Sequence, residues 1–249
     1  MISDRKSKIL CTINFILCIT TLIFLIVVSC FEFSINKKVF SASDIFNIAK
    51  NSVVELRAES KIYGNSFGSA VCIDETRLLT NAHVVGRTIE KDIELYEYIS
   101  FRLYNSDEYF PVSVIDCDFE KDLCLLKLAN KCKGLVPISI QNGNEVQSGD
   151  RVYAVGNAMN HGIGIVEGIL SAPYININIK GNKMLVMQCD IVISSGSSGG
   201  ALLDCFGRLI GLTTFRVKDQ QGYIVYGVGF AIPTITIEKF LEQNVIETI

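Results

Sequence analysis

From residue 52 onward the chain is a succession of short runs rich in Val, Ile, Leu, Tyr and Phe, each closed by turn-forming residues. The first group of runs covers 52–57, 68–73, 98–104, 110–115 and 123–128. After Pro137 and the turn-rich Asn142-Gly143-Asn144, a second group covers 151–155, 162–171, 184–189, 201–203, 209–215 and 223–230. Many short strands at near-regular spacing, punctuated this way, describe an all-β sandwich or barrel. Two helices flank them. Ser43 can cap a short one over 44–50, with Asp44 in the first turn where the helix dipole favours an acid. At the other end, Ile235, Ile237, Phe240, Leu241 and Val245 recur near helical spacing over 234–246.

The 249 residues leave room for one large domain or two barrel-like halves. One segment stands apart. Residues 9–28 carry no charge and are mostly Ile, Leu, Phe, Val, Cys and Thr. Twenty such residues in a helix reach roughly 30 Å, the thickness of a bilayer's hydrocarbon core. A cleavable signal has a shorter apolar stretch, so the expectation is an uncleaved transmembrane anchor over 9–30. It follows a basic cytoplasmic flank, 1–8, and leads through a linker, 31–42, to an extracytoplasmic domain. Val27-Val28-Ser29-Cys30 supports a competing reading, a lipoprotein signal with Cys30 acylated. A buried core helix is the third alternative.

The net charge is −3, and about −5 once the basic amino-terminal flank is set aside, so nucleic acid is excluded as a partner. Six of the nine cysteines lie beyond the apolar segment, enough for three bridges in fifteen pairings. No C-x-x-C pair occurs to suggest zinc or redox chemistry. Most of the six read as small buried hydrophobes, Cys124 within 123–128 above all. No disulfide is assigned.

Ser198 lies in Gly196-Ser197-Ser198-Gly199-Gly200, between two strand-like segments. A serine hydroxyl is a weak nucleophile until a base takes its proton, so the search turns to histidine. The chain has two. His83, in Thr80-Asn81-Ala82-His83-Val84-Val85, is the candidate base; His161, in a Gly/Asn-rich loop, reads as exposed and non-catalytic. Asp122 opens the apolar run 123–128 and is preferred over Asp116, Asp118 and Glu120 as the residue that orients the imidazole. The N–H groups of Gly196 and Ser198, with Ser197 between them, would converge as an oxyanion hole. The competing reading of 194–200 is a flexible Gly/Ser linker.

Six segments together resemble the trypsin-like protease domain of the HtrA/DegP family: Gly68-Ser69-Ala70, the His83 and Asp122 segments, the Ser198 run, Gly207-Arg208-Leu209-Ile210-Gly211 and Gly229-Phe230-Ala231-Ile232-Pro233. The resemblance runs from about residue 43 to 240. It implies a protease domain over 43–249 with two six-stranded antiparallel β-barrels, about 52–140 and 145–233, and the His83, Asp122, Ser198 triad between them. It further implies a serine endopeptidase without metal or cofactor, acting on unfolded polypeptides and often trimeric. By the same resemblance Thr213, Thr214, Phe215 and Arg216 would pair with substrate, and Ile191 and Val192 would sit near the specificity pocket. Two departures stand out. The family's Asn-Pro-Gly-Asn before the nucleophile is Ser194-Ser195-Gly196-Ser197 here, which removes a φ constraint from the loop. No PDZ domain, of order 100 residues, is expected after the protease domain. An alternative function is a protease fold retained as a binding module for unfolded chains or a membrane partner.

Overall fold

The structure is a computed structural model that describes residues 13–28, 39–89, 92–141, 146–179, 182–218, 221 and 224–246. Met1–Val39 and Phe40–Ile249 are two compact units. In the first, α1 (13–28) is helical and exposes its apolar side chains, Phe15, Leu17 and Phe24 among them. Among the described residues no helix is long and apolar enough to cross a membrane. Residues 9–12 and 29–30 of the expected anchor, Cys30 included, lie outside the described residues.

The second unit begins with α2 (Ala42–Ala49). Its cap is Ser41 rather than Ser43: the Ser41 hydroxyl accepts from the Asp44 N–H, and the Asp44 carboxylate accepts from the Ser41 N–H in return. Ile45 and Ala49, four apart, bury the inner face. Strands β1 (Val53–Ser60), β2 (Gly64–Cys72), β3 (Arg77–Thr80), β6 (Tyr98–Arg102), β7 (Phe110–Asp118) and β8 (Leu123–Leu128) close a barrel in the order β1-β2-β3-β8-β7-β6. The one-turn helix α3 (Ala82–Val85) and a separate hairpin, β4 (Gly86–Ile89) and β5 (Asp92–Leu95), interrupt it. The second barrel closes as β10-β11-β14-β13-β12-β9, from β9 (Arg151–Gly156), β10 (Gly164–Ile179), β11 (Asn182–Cys189), β12 (Ala201–Leu203), β13 (Leu209–Lys218) and β14 (Ile224–Pro233). Helix α4 (Thr234–Ile246) follows. The expected all-β fold of two six-stranded antiparallel barrels with short flanking helices is thus what the chain adopts.

Strand β8 shows why the apolar runs are unbroken rather than alternating. Cys124, Leu126 and Leu128 fill the first barrel, while Leu123 and Leu125 point the other way, into a core shared with Tyr153, Val155 and Leu203 of the second barrel. A period-2 strand buried on both faces is apolar on both, and Lys127, the one position of β8 open to solvent, is its one charged residue. Phe240 and Ile237 of α4 and Ile45 of α2 close the same shared core. Truncating Leu125, fully buried there, costs about 2–5 kcal/mol by transfer and cavity terms. Two expectations are corrected. Cys124 is buried, but it is disulfide-bonded to Cys117, its direct neighbour across the β7–β8 pairing. The strand expected over 162–171 continues to Ile179 and pairs with β11 out to Asn182.

Candidate active site

The two barrels each bring half of one site to a common cleft. From the first, α3 presents His83 directly after β3, and the β7–β8 turn presents Asp122. Asp122 holds a left-handed backbone conformation, φ 55°, uncommon for a non-glycine residue. Four contacts hold it there. The Asn81 amide donates to its carbonyl at 2.9 Å, and the His83 N–H donates to Oδ1 at 3.0 Å. His83 Nδ1 lies 2.9 Å from both carboxylate oxygens, and the Thr214 hydroxyl donates to Oδ2 at 2.6 Å. An ionised carboxylate only accepts, so Nδ1 carries the proton and Nε2 presents its lone pair outward. Half of the His83 side chain is open to solvent, whereas Asp122 is 13% exposed.

From the second barrel comes the loop between β11 and β12. Gly196 and Gly199 are its pivots, with φ +89° and +81°. A Cβ on Gly196 would lie 2.2 Å from the Asn157 carbonyl, and one on Gly199 2.1 Å from the Ser69 carbonyl. Only glycine fits either position. The loop is tied from three sides. The Ser69 hydroxyl donates to the Gly196 carbonyl at 2.8 Å and accepts from the Asn157 N–H at 2.8 Å. The Met159 N–H donates to the Ser195 carbonyl at 2.7 Å. The Thr213 hydroxyl donates to the Ser197 carbonyl at 2.6 Å, and the Gly199 N–H donates to the Thr213 carbonyl at 2.8 Å. These bonds tether the backbone on either side of Ser195. Among the described residues, neither the Gly196 N–H nor the Ser198 N–H has a hydrogen-bond partner.

Ser198 donates its hydroxyl to the Thr214 carbonyl at 2.7 Å. No hydrogen bond joins it to His83 among the described residues, yet both line one cleft of about 210 Å³, with Ile193, Ser194, Ser195, Thr214 and Phe215. Ile191 is buried in the second barrel's core, and Val192 is half-exposed; neither lines this cleft. Thr213 spends its N–H and carbonyl on Gly200 and Gly199. The β13–β14 register slips between Thr213 and Arg216, which frees Thr214 and Phe215 from the sheet; the Arg216 backbone pairs with Gly229. His161 is exposed and lines a different cavity, with Glu55 and Arg102. Of the other carboxylates, Asp116 accepts from Asn244 and Asp118 pairs with Lys121, so Asp122 alone meets His83.

The comparisons with known proteins fit this geometry. Residues 68–212 match the family model described as trypsin-like peptidase domain. The chain belongs to that family. Its HtrA-type branch supplies the relatives. The probable periplasmic serine endoprotease DegP-like of Buchnera aphidicola subsp. Baizongia pistaciae is 33% identical over 216 residues, 86% of this chain and 42% of that protein. The serine endoprotease DegS of Haemophilus influenzae is 31% identical over 80% of this chain and 60% of its own length. Among solved structures, the HtrA-type protease AlgW with tripeptide superposes with a TM-score of 0.70 at 30% identity, covering 84% of this chain and 64% of that one. The chain thus spans about half the length of the curated relatives it matches. In this trypsin-like peptidase domain His83 and Ser198 line one cleft, with Asp122 bonded to His83. Ser69 is a support that spacing could not reveal, since it meets a partner 127 positions away; the hydroxyls of Thr213 and Thr214, residues the resemblance already named, meet the Ser197 carbonyl and the Asp122 carboxylate.

Proposed function

We propose that the chain is a serine endopeptidase, tethered to a membrane, that hydrolyses peptide bonds of unfolded or damaged extracytoplasmic proteins. One observation carries the reading: an Asp122-held imidazole and a serine flanked by two unpartnered N–H groups line a single cleft. In the working enzyme the Ser198 hydroxyl leaves the Thr214 carbonyl for His83 Nε2. Oγ then attacks the scissile carbonyl as His83 takes the proton, and Asp122 stabilises the imidazolium. The developing oxyanion is met by the Gly196 and Ser198 N–H groups, an arrangement in which one donor is worth about 3–4 kcal/mol. His83 returns the proton to the leaving amine, and water clears the acyl-enzyme by the reverse roles. A cleft of about 210 Å³ walled by Ile193 suits a small aliphatic side chain at the cleaved position.

The test is degradation of reduced casein by the chain and by its Ser198→Ala variant. Turnover falls about 10⁴–10⁶-fold in the variant if the triad acts as a unit. Equal degradation by both would sink the assignment; none by either would return the fold to a holder of extended chains. The tether is residues 9–30, supported by the exposed apolar side chains of α1. Intact mass of the membrane-extracted protein decides it. A retained residue 1–29 segment marks an anchor, and a chain starting at an acylated Cys30 marks a lipoprotein. The homotrimer implied by the resemblance is checked by sedimentation of the extracted protein.

A further inference from the structure

A second cavity, of about 810 Å³, lies on the other side of His83 and shares His83 and Phe215 with the Ser198 cleft. Its walls are mixed: Tyr96, Phe119, Met184 and Phe215 give it an apolar side, and Thr88, Asn182 and the charged Arg87, Glu120 and Asp122 a polar one. Its charges are unevenly spent. The Asp122 carboxylate is taken by His83 and Thr214. The Arg87 guanidinium lies over the Tyr63 ring at 4.3 Å, and Glu94, hydrogen-bonded to Tyr63, sits beside the pair. Lys121, next to Glu120 in the chain, is clamped to Asp118. That leaves Glu120, exposed at the cavity and, among the described residues, in no ion pair or hydrogen bond.

We infer that Glu120 makes this cavity a subsite for a basic side chain of the polypeptide substrate. The chemistry matches in both parts. A Lys or Arg stem lies along Phe119 and Phe215, and its cationic head reaches the Glu120 carboxylate. Acidic side chains meet an unpaired like charge and are rejected. An extended chain advances about 3.3 Å per residue, so four residues on either side of the cleaved bond sample about 13 Å of cleft each way. The inference rests on the peptidase reading above and adds a substrate class to it.

The test is a set of fluorogenic peptides carrying Lys, Ala or Glu at each of four positions on either side of the cleaved bond. They are compared for the chain, Glu120→Gln and Glu120→Lys, with casein cleavage run alongside. At one position the wild type prefers Lys over Glu, by roughly two- to fivefold in kcat/KM, the size of an exposed charge pair. The ratio falls to about one in Glu120→Gln and inverts in Glu120→Lys, where the sign of the local charge is reversed. Being ratios within one protein, these readings are untouched by differences in folded fraction. Casein cleavage with the same Lys-to-Glu ratio in all three proteins overturns the inference alone. Absence of casein cleavage overturns the peptidase reading and this inference with it.

Discussion

The two halves of the site are secured by different means. The first barrel fixes His83 through charge: one carboxylate takes hydrogen bonds from the His83 N–H, His83 Nδ1 and the Thr214 hydroxyl. The second fixes Ser198 through shape: two left-handed glycines, and carbonyls tied to small hydroxyls and to N–H groups. Charge-assisted bonds tolerate small displacements, because the attraction falls off gradually with distance. Steric fit does not, because a Cβ placed 2.1 Å from a carbonyl oxygen has nowhere to go. The base half should therefore fail electrostatically with its fold intact. The nucleophile half should fail geometrically, with loss of stability.

Asp122→Asn attacks the first half with the largest expected effect. The amide can donate where the carboxylate only accepted, so the imidazole loses its fixed tautomer, and kcat falls about 10⁴-fold. Thermal melting should barely move, since size and hydrogen-bonding capacity are nearly kept. A large fall in Tm alongside lost activity would mean that the first barrel, too, depends on fit.

Gly199→Ala is the matching strike on the second half. The added methyl meets the Ser69 carbonyl at 2.1 Å and the Thr80 hydroxyl at 2.4 Å, at φ +81°. Displacing the loop misaligns the Ser198 N–H, and kcat drops about 10²–10³-fold, as when an oxyanion donor is removed. Here stability falls as well, by about 1–3 kcal/mol of backbone strain. Gly164→Ala is the control, because nothing lies within 4 Å of its Cβ and its φ is not in the left-handed region. Equal melting of the two variants would show that the loop yields more easily than its contacts imply.

Ser69→Ala tests the strut between the halves. It leaves the buried Asn157 N–H and the Gly196 carbonyl without their shared partner, a cost of about 1–3 kcal/mol. The readout is a fall in denaturation midpoint with an unchanged m-value. Ser69→Cys or Ser69→Thr, which keep a donor, should recover part of it.

How much of this was legible in the sequence follows the range of the interactions. Most barrel strands are readable because burial on one or both faces writes itself as local apolar runs, as in 123–128; β3 (Arg77–Thr80), four residues opening on an arginine, is not. His83, Asp122 and Ser198 stand out as candidates in the sequence because nucleophile chemistry restricts the residue types and only two histidines exist. The β4–β5 hairpin is not readable, since Ile93 and Leu95 stay exposed and its strands carry no buried face to mark them. Ser69 was not legible as a strut, because a serine in a strand says nothing of a carbonyl 127 positions away. The Thr214 hydroxyl bond to Asp122 is likewise absent from the local pattern, being a contact that exists only once the barrels meet.

The disulfide sharpens the comparison with the smallest effect on activity. Cys117 and Cys124 close a seven-residue separation around the turn that carries Asp122. Cys124 looked like one more apolar residue of β8; its partner becomes visible only from the β7–β8 register, which sets the two directly opposite. Cross-linking so short a loop removes about 2 kcal/mol of unfolded-state entropy in the chain-entropy model. Cys117→Ser with Cys124→Ala should therefore lower stability by about that amount. The turn keeps its other supports, the Asp118–Lys121 clamp and the Asn81 bond to the Asp122 carbonyl. If charge holds this half in place, kcat of the double variant stays within about threefold of wild type at temperatures where both are folded, a change of under 1 kcal/mol. Thiol labelling of the native chain checks the premise. Cys117 and Cys124 should resist alkylation until reduced, whereas the free thiols of Cys72 and Cys189, which burial pushes up to about 12 and about 11, should resist it until the chain unfolds. A hundredfold loss of kcat on removing the bridge would instead show that Asp122 is placed by its covalent frame, and that both halves of the site are held by geometry.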